Sequence, residues 1–114
     1  NDATTKNIVS SVIRFEDWFN QYFSVTSVSH ELPVLAKNEN DSVISGLIDL
    51  VIETPDGVWV IDHKSDYIQD PEADFSRYQP QLDVYAKSLS SAGKKVLGTG
   101  INWIRSGEVA LIKF

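Results

Sequence analysis

The chain has 114 residues, of which 42% are hydrophobic, and a formal net charge of -6. This length is typical of one domain with enough core to fold without disulfides, so we expect a single domain over residues 1–114. The absence of cysteine excludes disulfides, thiolate zinc sites and iron–sulfur clusters. No apolar run reaches the roughly 18 residues of a membrane span. The excess of acidic residues argues against a broad basic surface that binds nucleic acid.

The first half of the chain predicts one helix and three strands. Apolar residues at three- and four-residue spacings indicate an amphipathic helix over residues 5–23. Strands are expected over residues 31–37, 42–53 and 57–65 because these segments are rich in Val and Ile and are separated by turn residues. The Thr-Pro-Asp-Gly segment at 54–57 is a strong turn signal, so the second and third strands should form a hairpin.

A second helix is expected after a polar loop at residues 67–73, which is rich in acidic side chains. Proline inside a helix costs about 3 kcal/mol, so the sequence predicts a helix that begins around Gln79 with Pro80 in its first turn. The helix should end near Ala92, with Gly93 as its C-cap.

A last pair of strands is expected over residues 95–103 and 109–114. The predicted order is therefore α-β-β-β-α-β-β, and the fold class is α/β (α+β), a central mixed sheet flanked by helices.

The candidate chemistry lies in the predicted hairpin. Its strands are nearly continuous apolar sequence, yet they contain Asp49, Asp62 and Lys64, and buried charges are costly unless they are paired or bind an ion. If Thr54 and Gly57 flank a tight turn, Asp49 lies directly opposite Asp62, and Lys64 lies on the same face as Asp62. Two carboxylates and an ammonium group that converge in this way suggest a divalent-metal site with an adjacent catalytic lysine.

The same three residues also fit simpler arrangements. The carboxylates could lie at a frayed strand end with Lys64 as their salt-bridge partner, which is the reading expected of an unrelated α+β domain. A carboxylate pair also serves glycosidases, but no sugar-stacking pattern accompanies it here.

Three segments in order carry a resemblance to a known family: Gly-Leu-Ile-Asp-Leu-Val at 46–51, Val-Trp-Val-Ile-Asp-His-Lys-Ser at 58–65, and Tyr78-x-x-Gln81-x-x-x-Tyr85. Together they resemble the RecB-type branch of the PD-(D/E)XK nucleases, as in the C-terminal nuclease domain of the AddA and RecB helicase–nuclease subunits. The resemblance runs from about His30 to Phe114 and implies a restriction-endonuclease-like core.

The resemblance implies a role for each residue of the hairpin. Asp49 and Asp62 would be catalytic metal ligands, the backbone carbonyl of His63 would complete the metal's inner shell, and Lys64 would activate the attacking water. Glu31 matches an acidic residue of the preceding strand that supports the metal through water or holds Lys64.

Gln81 and Tyr85 match the helix signature of the family, and they would orient the site and contact DNA, with Tyr78 beside them. The family usually has a further upstream helix that carries a metal-binding histidine, and we expect this chain to start after it. His30 is a poor substitute because it precedes a strand. Some branches add a cysteine-ligated iron–sulfur cluster, which this chain cannot build.

The implied function is metal-dependent hydrolysis of DNA phosphodiester bonds, of exonuclease type, with Mg²⁺ or Mn²⁺ as cofactor. Because the chain begins with Asn1, we expect a piece of a longer protein. The resemblance implies that this protein contains a helicase, belongs to the bacterial cytoplasm, and acts in DNA repair and recombination with a second helicase–nuclease subunit. The alternative is a catalytically incomplete nuclease-fold module that binds DNA or docks subunits.

Three further side chains are expected to be structural. The side chain of His63 alternates away from Asp62 and Lys64 and should pack on the opposite face of its strand. Trp59 and Trp103 lie in strand patterns and are expected in the core.

Overall fold

The computed structural model describes residues 15–37, 40–65 and 70–114. The described elements are helix α1 over residues 15–22, strands β1 (Ser27–Lys37), β2 (Val43–Thr54) and β3 (Gly57–Lys64), helix α2 (Pro71–Ser91), and strands β4 (Val96–Trp103) and β5 (Glu108–Lys113). The predicted order of helices and strands is confirmed, while the first ten residues of the predicted helix 5–23 lie outside the described residues.

The five strands form one sheet in the order β1-β2-β3-β4-β5. Strands β3 and β4 are parallel, and every other neighbouring pair is antiparallel. The parallel pair needs a crossover connection, and α2 supplies it. The predicted mixed sheet is therefore confirmed.

Both faces of the central strands are covered by a helix. Along β3, Val60 belongs to the core cluster that contains Leu82 of α2, whereas Ile61 belongs to the cluster that contains Phe19 of α1. Successive residues of a strand point to opposite faces, which explains why the near-continuous apolar sequence of β3 is buried along its length. This alternation assigns even-numbered residues of β3 to the α2 face and odd-numbered residues to the α1 face.

Strand β1 begins at Ser27, and the prediction that it starts at residue 31 was wrong by four residues. Residues 27–30 pair with residues 50–53 of β2. The polar Ser-Val-Ser-His sequence carries a weak strand signal of its own, and the ladder of a long neighbouring strand supplies the hydrogen bonds that extend it.

Helix α2 begins at Pro71, so the predicted start around Gln79 was wrong. Asp70 caps the helix: its Oδ1 accepts a hydrogen bond from the backbone N–H of Ala73 at 3.3 Å, and its own N–H donates to Oδ2 of Asp74 at 3.4 Å. Proline is favoured at the first helical position because it has no N–H to lose there. Part of the segment expected to be an acidic loop is thus a helix cap.

Pro80 lies inside α2 and does not end it. Phe75 and Leu82, on either side of Pro80, are both buried in the core against the sheet. This packing outweighs the missing backbone hydrogen bond, since most helix stability in proteins comes from tertiary contacts. Sequence propensity alone therefore placed the start of the helix too late.

The predicted C-cap of α2 is confirmed. Gly93 has a φ of 92°, its N–H donates to the carbonyl of Ser90 at 3.1 Å, and the N–H of Lys94 donates to the carbonyl of Leu89 at 3.0 Å. These two bonds form the Schellman arrangement that ends many helices.

Candidate active site

The register of the β2–β3 hairpin brings two aspartates together. The strands pair from Thr54–Gly57 to Leu50–Ile61, and Asp49 and Asp62 are the next residue of each strand beyond this last pair. Here the backbone N–H of His63 donates to a side chain rather than to a backbone carbonyl of β2: Oδ2 of Asp49 accepts it at 2.9 Å. The carboxyl groups of Asp49 and Asp62 also hydrogen-bond to each other.

The buried position of Asp62 makes its carboxyl group unusually basic. Its side chain is 12% exposed. Burial and the hydrogen bond and negative charge of Asp49 raise the pKa of Asp62 to about 7, against the lowering effect of Lys64. A proton shared between two adjacent carboxyl groups is the usual response to like charges that cannot both ionise.

Lys64 lies on the α2 face beside Asp62, as predicted. Its Nζ is 2.9 Å from Oδ2 of Asp62, and its side chain is 23% exposed. Burial acts to lower the pKa of Lys64, but the hydrogen bond and charge of Asp62, helped by Tyr78 and Asp49, outweigh it, so that the net shift is upward. The ammonium group is therefore charged at neutral pH and is held at the carboxylates.

The backbone of His63 faces the same carboxylates. In an extended strand the N–H and C=O of one residue point to the same neighbour, and those of the next residue point to the other. The N–H of His63 points to Asp49 of β2, whereas the carbonyl of Lys64 accepts the N–H of Ile104 at 2.9 Å, on the β4 side. This alternation directs the carbonyl of His63 toward Asp49.

The side chain of His63 packs on the opposite face, as predicted. Its ring meets Phe15 edge-on with centroids 5.8 Å apart, and its Nδ1 lies 3.2 Å from Nδ2 of Asn102. Burial lowers the pKa of His63. Asn102 is 3% exposed and was not singled out from the sequence, because only the parallel pairing of β4 with β3 brings it beside His63.

Helix α2 carries Gln81 and Tyr85 on one face, and Tyr85 contacts β2. Nε2 of Gln81 donates to Oη of Tyr85 at 3.1 Å, which confirms that the two residues share one helical face. Tyr85 rests on Gly46, where an added Cβ would lie 2.9 Å from the tyrosine hydroxyl. The sequence signal for this contact is a glycine inside a strand, which often marks a close approach by another group.

Tyr78, one helical turn earlier on α2, reaches the lysine of the candidate site. Nζ of Lys64 lies 4.2 Å from the centroid of the Tyr78 ring, and the guanidinium carbon of Arg77 lies 4.9 Å from it. Tyr78 of α2 therefore lies at the same site as Asp49, Asp62 and Lys64 of the hairpin. The cation–ring contact itself could not be read from the sequence.

Glu31 of β1 interrupts the pairing with β2 and has an unusual backbone conformation. It falls between the pairs His30–Leu50 and Leu32–Ile48, and its φ of 50° is rare for a residue other than glycine. Its side chain is exposed, so its assignment as a metal ligand stays a prediction. Nε2 of His30 lies 3.1 Å from Oε1 of Glu16.

The donor set fits a hard divalent cation with few protein ligands. Within residues 15–37, 40–65 and 70–114, no three His, Cys, Asp or Glu side chains gather at one point. Mg²⁺ usually keeps several waters and binds one or two carboxylates together with substrate phosphates, so the adjacent carboxylates of Asp49 and Asp62 match its preference.

The remaining expectations concern the core and membranes. Trp59 and Trp103 are 3% and 1% exposed, so both are core residues as predicted. No helix in the described part of the chain has the length and apolar character to cross a membrane.

Comparison with known proteins gives a family and several relatives, among them ATP-dependent helicase/nuclease subunits. The family model of the PD-(D/E)XK nuclease superfamily matches residues 2–113. The chain is 31% identical over 87 residues to the relative from Clostridium novyi, a match that covers 75% of the chain and 7% of that protein. The corresponding protein of Thermoanaerobacter pseudethanolicus is 34% identical over 90 residues (76% of the chain, 7% of that protein), and that of Clostridium botulinum is 39% identical over 61 residues (53% and 5%). The chain thus spans less than a tenth of the length of these relatives.

Proposed function

The chain belongs to the PD-(D/E)XK nuclease superfamily, and from this premise we propose that it hydrolyses DNA phosphodiester bonds with Mg²⁺ or Mn²⁺. The observation that carries the proposal is the convergence of Asp49, Asp62 and Lys64 at one end of the β2–β3 hairpin. The names of the relatives, ATP-dependent helicase/nuclease subunits, support a place within a longer helicase–nuclease of the bacterial cytoplasm, where exonucleolytic cutting would serve DNA repair and recombination with a second subunit.

The carboxylates of Asp49 and Asp62 and the carbonyl of His63 would hold the cation. Such a metal supplies a water of lowered pKa and neutralises charge on the phosphate. The raised pKa of Asp62 supports this role, because burial and the neighbouring Asp49 both disfavour its negative charge, and a divalent cation would stabilise that charge. Glu31 would support the cation through water from the neighbouring strand.

Lys64 would act on the substrate side of the carboxylates. Its ammonium group is charged and contacts Asp62, so it can orient the attacking water and stabilise the negative charge that develops on a non-bridging phosphate oxygen. The expected products carry a 5′-phosphate and a 3′-hydroxyl group, as in the family.

Helix α2 would hold the site against the sheet and meet DNA. The bond from Gln81 to Tyr85, together with the contact of Tyr85 with Gly46, joins α2 to the strand that carries Asp49. Gln81 is exposed and is available to contact a DNA strand.

The test is cleavage of end-labelled linear DNA in Mg²⁺, in Mn²⁺ and in excess chelator. We expect Asp62→Ala and Lys64→Ala each to lower the rate by about a hundredfold or more, since removal of one preorganised charge costs on this order. Exposed residues of the same types on α2 supply matched controls, Asp83→Ala and Lys87→Ala, which should cleave at the wild-type rate. Metal-dependent cleavage that survives in Lys64→Ala would contradict the assignment.

One observation favours a second candidate, a nuclease-fold module that binds DNA or docks subunits without cutting. Among the described residues, two carboxylates and no third ligating side chain gather at the site. Calorimetric Mn²⁺ titration, combined with the cleavage assay, distinguishes the nuclease from the non-cutting module. Binding that disappears in Asp62→Ala and is accompanied by cleavage supports the nuclease, whereas DNA binding with neither metal binding nor cleavage supports the module.

A further inference from the structure

Lys64 has a second contact besides the one with its aspartate partner. Its Nζ lies 4.2 Å from the centre of the Tyr78 ring, a distance at which the negative face of an aromatic ring attracts a cation. We propose that Tyr78 is a positioning residue that holds the ammonium group of Lys64 at the reacting phosphate. This inference rests on the proposed nuclease function and adds a residue to it.

The lysine needs such a contact because its ion pair alone does not define where the ammonium group lies. Lys64 is the last residue of β3 and has a flexible four-carbon stem, and the Asp62 carboxyl group that holds it also hydrogen-bonds to Asp49. A carboxylate that serves a second carboxyl group or a cation holds the ammonium group less firmly. The ring of Tyr78 attracts the ammonium group without using any carboxylate oxygen.

Tyr78 is itself held in place on α2. Its ring is partly buried and packs against the core cluster that contains Phe75 and Leu82, residues on the same helix. Its hydroxyl accepts a hydrogen bond from Nη2 of Arg77 at 3.2 Å. The aromatic ring is the part that faces Lys64, so Phe should preserve the positioning role and Leu should preserve only the apolar packing.

The first measurement uses the metal-free chain without DNA. Protons that lie over an aromatic ring are shifted upfield in NMR spectra, so we expect upfield-shifted ε-methylene protons of Lys64 in the wild type and in Tyr78→Phe. In Tyr78→Leu these protons should return to the position found for exposed Lys87. An unshifted Lys64 in the wild type would overturn the proposal.

The second measurement is DNA cleavage in Mg²⁺. We expect kcat to fall about tenfold in Tyr78→Leu, as for a misplaced catalytic group, with KM unchanged and most of the activity restored in Tyr78→Phe. Leu89→Val, a conservative change of a buried residue on the same helix, is the control for simple destabilisation and should keep the wild-type kcat. A wild-type kcat in Tyr78→Leu, or an equal loss in Tyr78→Phe, would overturn the inference even though the nuclease assignment stood. If the wild-type chain cleaved no DNA, the nuclease assignment would fail, and the NMR shift would still decide the contact.

Discussion

The protonation of Asp62 gives a prediction about stability that needs no metal and no DNA. In the folded chain burial raises the pKa of Asp62 from 3.8 to about 7. The folded state therefore binds a proton that the unfolded state has already released between these two pH values. This group contributes its full stabilisation below about pH 4, and the contribution is lost as pH rises through 7.

The size of the effect follows from the shift. At about 1.4 kcal/mol per pH unit, a rise from 3.8 to about 7 corresponds to a loss of about 4 kcal/mol between pH 4 and neutral pH. Only a small discount for solvent is needed because the side chain is 12% exposed. The Asp62→Asn chain keeps a neutral side chain of the same shape, so it should match the wild type near pH 4 and exceed its free energy of unfolding by several kcal/mol at pH 8.

The assay is urea unfolding of both chains, followed by tryptophan fluorescence, at intervals from pH 4 to pH 8 in chelator. The control is Asp83→Asn, which removes an exposed carboxylate of α2 outside the candidate site. Parallel curves for the wild type and Asp62→Asn would refute the reasoning, because they would mean that Asp62 ionises in the folded chain as it does in the unfolded one.

Three further predictions test the metal, the helix contact and the helix itself. Mg²⁺ at a hundred times its dissociation constant should add about 2.7 kcal/mol to the free energy of unfolding. The gain should be seen as a rise in Tm that chelator reverses and that the Asp62→Asn variant lacks. An equal rise in Tm in the variant would place the ion elsewhere. Gly46→Ala should lower stability by about 1–3 kcal/mol in urea unfolding because its Cβ would lie 2.9 Å from Oη of Tyr85, and a Tyr85→Leu background should remove most of that loss. Pro80→Ala should raise stability by up to about 3 kcal/mol, since Pro80 is exposed and the new N–H can bond to the carbonyl of Ser76; a loss in urea unfolding would show that the proline ring contributes contacts of its own.

The β2–β3 hairpin shows how far local sequence can reach. The turn residues at 54–57 are adjacent in the chain, and a two-residue loop leaves one register for the strands that it joins. For this reason the meeting of the Asp49 and Asp62 carboxyl groups, and the position of Lys64 on the same face as Asp62, could be expected from counting along the sequence. The face of His63 followed from strand alternation in the same way.

The errors in the helix and in the first strand have the opposite cause. The start of α2 at Pro71 depends on the packing of Phe75 and Leu82 on the sheet, which compensates for Pro80, and residues 27–30 become a strand because β2 lies beside them. Neither partner is close in sequence. Intrinsic propensity was outweighed by contacts that exist only in the folded chain.

By itself, the sequence determined the order of the helices and strands, because this order follows from the spacing of apolar residues. It also determined the β2–β3 hairpin, through the turn residues that join the two strands, and the family, through motifs read in order. Only the tertiary structure decided the chemical state of the site. The raised pKa of Asp62 comes from burial, and the contact of Tyr78 with Lys64 comes from the docking of α2 on the sheet. Desolvation and distance between groups far apart in the chain are properties of the packed molecule, and no local pattern encodes them.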